Sequence, residues 1–187
     1  MNTEIDYRLV DSEDALAPLL ESARDQQVIA LDTEADSRHH YREQLCLIQL
    51  TIAGRSWIVD PMAGFDLAPL LHLLATRSLI LHGADYDLRL LYRSFGFKPC
   101  HVFDTMIAAQ LLGWPQFSLA NLAYAVCNIE LEKDHQRADW SRRPLSPQQM
   151  TYAESDVTHL RDVYLGLAAK IESQGRQAWL ADEMSIL

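Results

Sequence analysis

Two carboxylates stand at the end of the most apolar strand in the chain. Val28-Ile29-Ala30-Leu31 has no polar side, so it predicts a strand buried on both faces at the centre of a sheet. Asp32 and Glu34 follow two residues apart, and in an extended chain they share one face. Acids at the mouth of a buried strand repel each other unless a cation or a proton lies between them. A strand that stopped at Asp32 would leave both in solvent, and on this pair alone both readings stay open.

The segments around this strand read as an α/β protein. Leu45–Thr51 and Trp57–Asp60, joined by a turn at Gly54-Arg55, predict an antiparallel meander with Val28–Leu31. Asp66 is placed to cap a helix carrying Leu67, Leu70, Leu71 and Leu74. Strand and helix then alternate. Leu79–His82 leads into a helix from about Asp85 to Phe95, closed by Gly96, and Val102-Phe103 into one that opens at Asp104-Thr105 and runs to Leu112-Gly113. Ser118 caps a helix through Cys127, with Leu119, Leu122, Ala123 and Val126 inward. Ser146-Pro147-Gln148-Gln149 starts a last helix that carries Tyr152, Asp156, His159 and Leu160 and runs to about Gln174. The sum is a mixed five- to six-stranded sheet flanked by helices, in one domain of 187 residues.

Composition narrows the function. Acids outnumber bases 26 to 16, a formal charge of -10, which argues against a protein that coats nucleic acid through a broad basic face. It leaves room for a nuclease, because metal-binding carboxylates also count as acids. Cys46, Cys100 and Cys127 are widely spaced and contain no C-x-x-C pair, so they predict buried free thiols in a reducing cytosol and no zinc site. The acidic start of the chain is unlike a signal peptide, and no apolar run nears the ~18 residues of a membrane span. A soluble cytoplasmic protein is expected.

Further acids fall beside predicted strand ends. Asp87 lies in the first turn of a helix, where an acid commonly complements the helix dipole, a task Asp85 could perform equally well. Asp104 is placed as an ordinary N-cap. Tyr152 and Asp156, four residues apart, project from one helix face. A tyrosine so placed is usually a core aromatic, but aspartate is a poor helix former and is hard to explain mid-helix.

The segments Leu31-Asp32-Thr33-Glu34, His82-Gly83-Ala84-Asp85-Tyr86-Asp87 and Tyr152-Ala153-Glu154-Ser155-Asp156 resemble the three motifs of the DEDD superfamily of 3′→5′ exonucleases. The tyrosine four residues before the last aspartate matches its tyrosine branch, and within it the chain is similar to ribonuclease D and the exonuclease domain of the exosome-associated nuclease. Leu45–Leu50, Phe103-Asp104-Thr105 and Ala138–Leu145 carry the likeness further, over about Ile5 to Glu183. The resemblance implies a ribonuclease H-like fold and a metal-dependent exoribonuclease that releases 5′ mononucleotides with the help of two divalent ions. It makes Asp32, Glu34, Asp87 and Asp156 the metal-site acids: Asp32 bridging, Glu34 and Asp156 on the water-activating ion, Asp87 on the other. Oxygen ligands throughout suit Mg²⁺ or Mn²⁺. Tyr152 becomes the residue that positions the attacking water, since a phenol of pKa ~10 is a poor base. The resemblance also sets the Thr33 and Glu34 neighbourhood at the 3′ hydroxyl, and His82 is expected among the substrate-binding residues. One departure stands out: many relatives have Asn where this chain has Gly83.

Basic residues cluster beside two motifs. Arg38, His39, His40 and Arg42 follow the first, and Lys133, Arg137, Arg142 and Arg143 precede the third. Such runs are usually solvated loops; here their position suggests phosphate contacts, with Lys133 and Arg137 foremost. Ribonuclease D continues into helical C-terminal domains that this chain is not expected to have. Single-stranded RNA 3′ ends, trimmed with low processivity, are the expected substrate. An exonuclease acting mainly on DNA and an inactive binding module are the competing readings.

Overall fold

The computed structural model describes residues 7–36, 43–131 and 138–187. In chain order the elements are β1 (Tyr7–Val10), α1 (Glu13–Ala23), β2 (Val28–Ala35), β3 (Leu45–Ile52), β4 (Arg55–Val59), a 3-10 turn (Pro61–Ala63), α2 (Ala68–Ala75), β5 (Ser78–Leu81), α3 (Ala84–Phe95), β6 (His101–Asp104), α4 (Thr105–Leu111), α5 (Leu119–Cys127), α6 (Pro147–Thr158), α7 (Leu160–Ser173) and α8 (Gln177–Met184).

The strands form one six-stranded mixed sheet among the described residues, in the order β1-β4-β3-β2-β5-β6. β2, β3 and β4 are the antiparallel meander read from the sequence. β5 and β6 add in parallel beside β2 through α3, and β1 adds in parallel beyond β4. Strand β1 and helices α1 and α8 were not foreseen. Only four residues of β1 pair, and its single buried side chain is Val10, so it has little alternation to read.

Strand β2 runs on past Asp32 to Ala35, which excludes the possibility that the strand stops at the first acid. Its alternation sends Leu31 into the core beneath α1, α2 and α3, and Ala30 into a second layer with Leu160 of α7. Helix α6 lies across β2, β3 and β4 on that second face. There Cys46, Leu47 and Ile58 meet Trp140, Met150, Tyr152 and Ala153. Burial on both faces explains why β2 has no polar side before Asp32.

The long helix predicted from Ser146 to about Gln174 is in fact two. α6 ends at Thr158 and α7 begins at Leu160, with His159 at φ -98° and ψ -3° between them. α6 lies across β2–β4, whereas α7 buries Val163 and Leu167 against α4 and α5. The capped start is as read: Ser146 Oγ accepts from Gln149 N at 3.2 Å and Gln149 Oε1 from Ser146 N at 3.0 Å. All three thiols are free, but only Cys46 is buried; Cys100 is exposed and Cys127 half-buried, which corrects the expectation of three buried ones. No described helix is long and apolar enough to cross a membrane.

Helices α5 and α7 approach closely at Gly166. A methyl group there would stand 2.3 Å from Cγ1 of Val126. Alanine is the better helix former by ~1 kcal/mol, yet overpacking of this kind costs ~1–3 kcal/mol. Gly166→Ala is therefore expected to lower the melting temperature, and adding Val126→Ala to restore it; thermal melts of the two variants check this.

Candidate active site

Strand β2 and helix α6 bring three acids together. One carboxylate oxygen each from Asp32, Glu34 and Asp156 lies within 4.8 Å of the others. Asp32 and Glu34 share the face of β2 that α6 covers, as their spacing predicts. Thr33, between them, points to the opposite face and donates its hydroxyl proton to Asp87 Oδ1 at 2.5 Å. Asp87 is thus tied to the same strand from α3, and it is buried at 4% exposure. Asp85 points elsewhere, pairing with Arg89 at 2.7 Å on the outer surface of α3.

Crowding shows in the proton affinities. Asp32 is held well above the usual carboxylate range by burial and by the charges of Asp87, Asp156 and Glu34. Burial and the charges of Asp156 and Asp87 push Glu34 up to about 9. Burial also lifts Asp87 to about 7, against the opposing pull of the Thr33 hydrogen bond, and Asp156 to about 7, against that of the Tyr152 phenol. Tyr152 is itself pushed upward, by burial first and then by Asp156 and Glu34. Its phenol donates to Asp156, and its ring leans on Trp140 with centroids 6.1 Å apart. It is a core aromatic and a member of the acidic site at once.

These residues line a cavity of about 460 Å³ with His82, Gly83, Tyr86, Ser118, Leu119, Ala120 and Leu131. The sequence placed Ser118 and Leu119 only as a cap and a core residue. That the start of α5 folds over the acids depends on α5 packing against α7, a contact between distant segments. His82 Nδ1 lies 2.9 Å from Thr105 Oγ1, whose proton goes to the Leu81 carbonyl at 3.0 Å. Burial lowers the affinity of the ring for a second proton, so the imidazole is neutral with its proton on Nδ1.

Asp104 caps α4, as expected, by accepting from Met106 and Ile107. It does more. The same carboxylate accepts from Gly83 N at 3.0 Å and Ala84 N at 2.7 Å, fixing the turn that leads to Asp87. Gly83 sits in that turn at φ +73°. Glycine and asparagine are the residues that most readily adopt this left-handed backbone, so the departure from Asn preserves the turn.

Arg143 is not a phosphate ligand, contrary to the expectation from its loop. Its guanidinium grips Asp60 with two hydrogen bonds, of 2.6 and 2.8 Å, and donates to the carbonyls of Cys46 and Trp140 at 3.0 and 2.7 Å. It ties the approach to α6 onto β3 and β4, and so helps set where Tyr152 and Asp156 stand. Arg142 is exposed and pairs with Asp139. Arg38, His39, His40, Arg42, Lys133 and Arg137 lie outside the described residues.

A mixed sheet with this acidic edge has the form that the three exonuclease motifs imply, and comparison with known proteins makes the family specific. The chain belongs to the 3′-5′ exonuclease family, whose sequence profile matches residues 7–172. It is 37% identical over 183 residues to ribonuclease D of Gluconacetobacter diazotrophicus, a match covering 96% of this chain and 47% of that protein. Escherichia coli RNase D, described as an exoribonuclease involved in structured RNA processing, superposes with a TM-score of 0.90 at 33% identity, over 97% of this chain and 49% of its own. Brucella melitensis NrnC with bound Mg²⁺ superposes with a TM-score of 0.82 at 26% identity, over 96% and 89%. The fold is the ribonuclease H-like one expected from the motifs. The chain spans about half the length of the ribonuclease D proteins it matches.

The raised carboxyls make stability depend on pH in a defined direction. The folded protein keeps protons that the unfolded chain releases near pH 4, so their contribution is complete below that value. It is lost as pH rises through about 7 for Asp87 and Asp156 and about 9 for Glu34. Metal-free protein is expected to melt at progressively lower temperature from pH 5 to pH 9. Millimolar Mg²⁺ is expected to raise the melting point more at pH 9 than at pH 5, because protons and cations compete for the same oxygens. Calorimetric melts across that range check both trends.

Proposed function

We propose that this chain is a metal-dependent 3′→5′ exoribonuclease domain that removes 5′ mononucleotides from single-stranded RNA ends. The observation that carries the proposal is the close approach of Asp32, Glu34 and Asp156 in a pocket where burial and mutual repulsion resist their ionisation. Such a group is stable when ionised only with cations among its oxygens. Asp32, Glu34 and Asp156 would hold one divalent ion, with Asp32 shared and Asp87 serving a second. The all-oxygen donor set suits Mg²⁺ or Mn²⁺. Bound ions of this kind supply a hydroxide nucleophile at neutral pH and offset charge on the phosphate and the departing 3′ oxygen.

The side chains divide the remaining work. Thr33 holds Asp87 in one orientation through its hydroxyl. The phenol of Tyr152 stays protonated, so it orients the attacking water as a hydrogen-bond partner and does not act as a base. His82 and Thr33 meet the nucleotide at the cleaved end. The family match and the likeness to ribonuclease D support RNA as substrate, and the Mg²⁺ of NrnC supports the choice of ion. The three free thiols fit a reducing compartment, and we place the protein in the cytoplasm.

End-labelled RNA tests this directly. Chelation is expected to abolish shortening from the 3′ end and Mg²⁺ or Mn²⁺ to restore it; full activity after exhaustive metal removal overturns the proposal. Asp32→Ala should lower turnover by roughly three orders of magnitude, about 4 kcal/mol of barrier at 1.36 kcal/mol per tenfold. Its melting temperature should not fall, because one of several mutually repelling acids has gone.

Tyr152→Phe keeps the ring in its packing and removes only the hydroxyl. Single-turnover cleavage should slow by about 10²–10⁴, the range for loss of a positioned proton-handling group, while Mn²⁺ affinity by calorimetry stays within a factor of two or so. Unchanged turnover would return Tyr152 to a purely packing role.

A further inference from the structure

His82 enters the cavity with its hydrogen-bonding capacity divided. Its Nδ1 faces Thr105, a residue with no exposed surface, and Thr105 spends its one proton on the Leu81 carbonyl. Nδ1 must therefore be the donor, which leaves Nε2 as a lone-pair acceptor. Among the described residues no hydrogen bond uses Nε2, and the ring lines the cavity. An acceptor of this kind cannot bind a phosphate oxygen, because that too only accepts. A hydrogen-bonding partner for it must carry an O–H or N–H proton, and the oxygen-only set of acids suits a hard divalent ion without it.

The place of His82 narrows the choice. Strands β2 and β5 run parallel with Ala30 opposite Ile80. His82 directly follows the end of β5 at Leu81, and it lines the cavity together with Asp32. It shares the cavity with the acids proposed to hold the ions, and it offers an uncharged acceptor there. The hydroxyl nearest a scissile phosphodiester that distinguishes one nucleic acid from another is the ribose 2′-OH.

We propose that His82 Nε2 accepts a hydrogen bond from a ribose 2′-hydroxyl on a nucleotide flanking the scissile bond, and so makes the site select RNA over DNA. This rests on the exonuclease function proposed above and names the feature by which that site chooses its substrate. Asp104 and Thr105 support it from below: Asp104 fixes the Gly83-Ala84 turn that follows His82, and Thr105 fixes the ring.

The test uses three forms of one oligonucleotide: all-RNA, RNA with a single 2′-deoxy at the terminal position, and RNA with a single 2′-deoxy at the next. Single-turnover rates are measured for the protein, for His82→Ala and for His82→Gln, whose amide oxygen can still accept. One of the two deoxy substrates should be cut about tenfold more slowly than all-RNA by the unaltered protein. For His82→Ala that ratio should fall to near one, with all-RNA slowed to the rate of the deoxy substrate, and His82→Gln should recover part of the ratio. If His82 only supports the turn, His82→Ala slows all three substrates equally and the ratio persists, which overturns the proposal. Equal cutting of all three substrates by the unaltered protein overturns it too and leaves the exonuclease assignment standing. Failure of the unaltered protein to cut any substrate with Mg²⁺ or Mn²⁺ overturns both.

Discussion

Burial of several acids in one place, with repulsion among them, is the constraint on which the rest of this structure depends. Asp32, Glu34, Asp87 and Asp156 are brought close on different elements, and each is held above its ordinary pKa. Left alone, such groups would separate or take up protons. The scaffold resists separation with a strand buried on both faces and a helix laid over it, reinforced by polar clamps outside the cluster. Thr33 holds Asp87, Asp104 holds the turn before it, and Arg143 holds the segment leading to Tyr152 and Asp156. The strain is concentrated where cations would relieve it.

Those clamps explain a division of labour among charged residues that looks uniform in the sequence. Asp104 and Asp87 both follow a strand and begin a helix. Asp104 accepts from four backbone N–H groups, three on Oδ1 and one on Oδ2, and is buried among them at the start of α4. Asp87 accepts one side-chain hydrogen bond and faces the cavity. Arg142 and Arg143 are neighbours, yet one is exposed beside Asp139 and the other is committed to Asp60 and three carbonyls. Role follows from hydrogen-bond accounting and not from residue type.

Much of this was legible in the chain. The meander, the alternating half and the capped start at Ser146 were set by local chemistry: apolar runs, a turn at Gly54-Arg55, and a capping box. What escaped was decided by tertiary contacts. The division of one helix at His159 follows from two packing surfaces that no local pattern announces. The four-residue β1 depends on β4 for its pairing. Ser118 and Leu119 line the cavity because α5 packs on α7, and Arg143 became structural because Asp60 lies across the fold. Cys100 is exposed because it sits in the turn before β6, outside either core layer.

The break at His159 also sets where this chain tolerates changes of length. Were α6 and α7 one rod, adding or deleting a residue between Asp156 and the buried Val163 would turn one end against the other by 100°, the angle per residue of a 3.6-residue turn. Either the acid would swing out of the site or the apolar stripe would leave α4 and α5. The interruption at His159, three residues after Asp156, gives a change of length somewhere to be absorbed outside either helix. The face that carries Asp156 and the face that packs on α4 and α5 need not then share one helical phase.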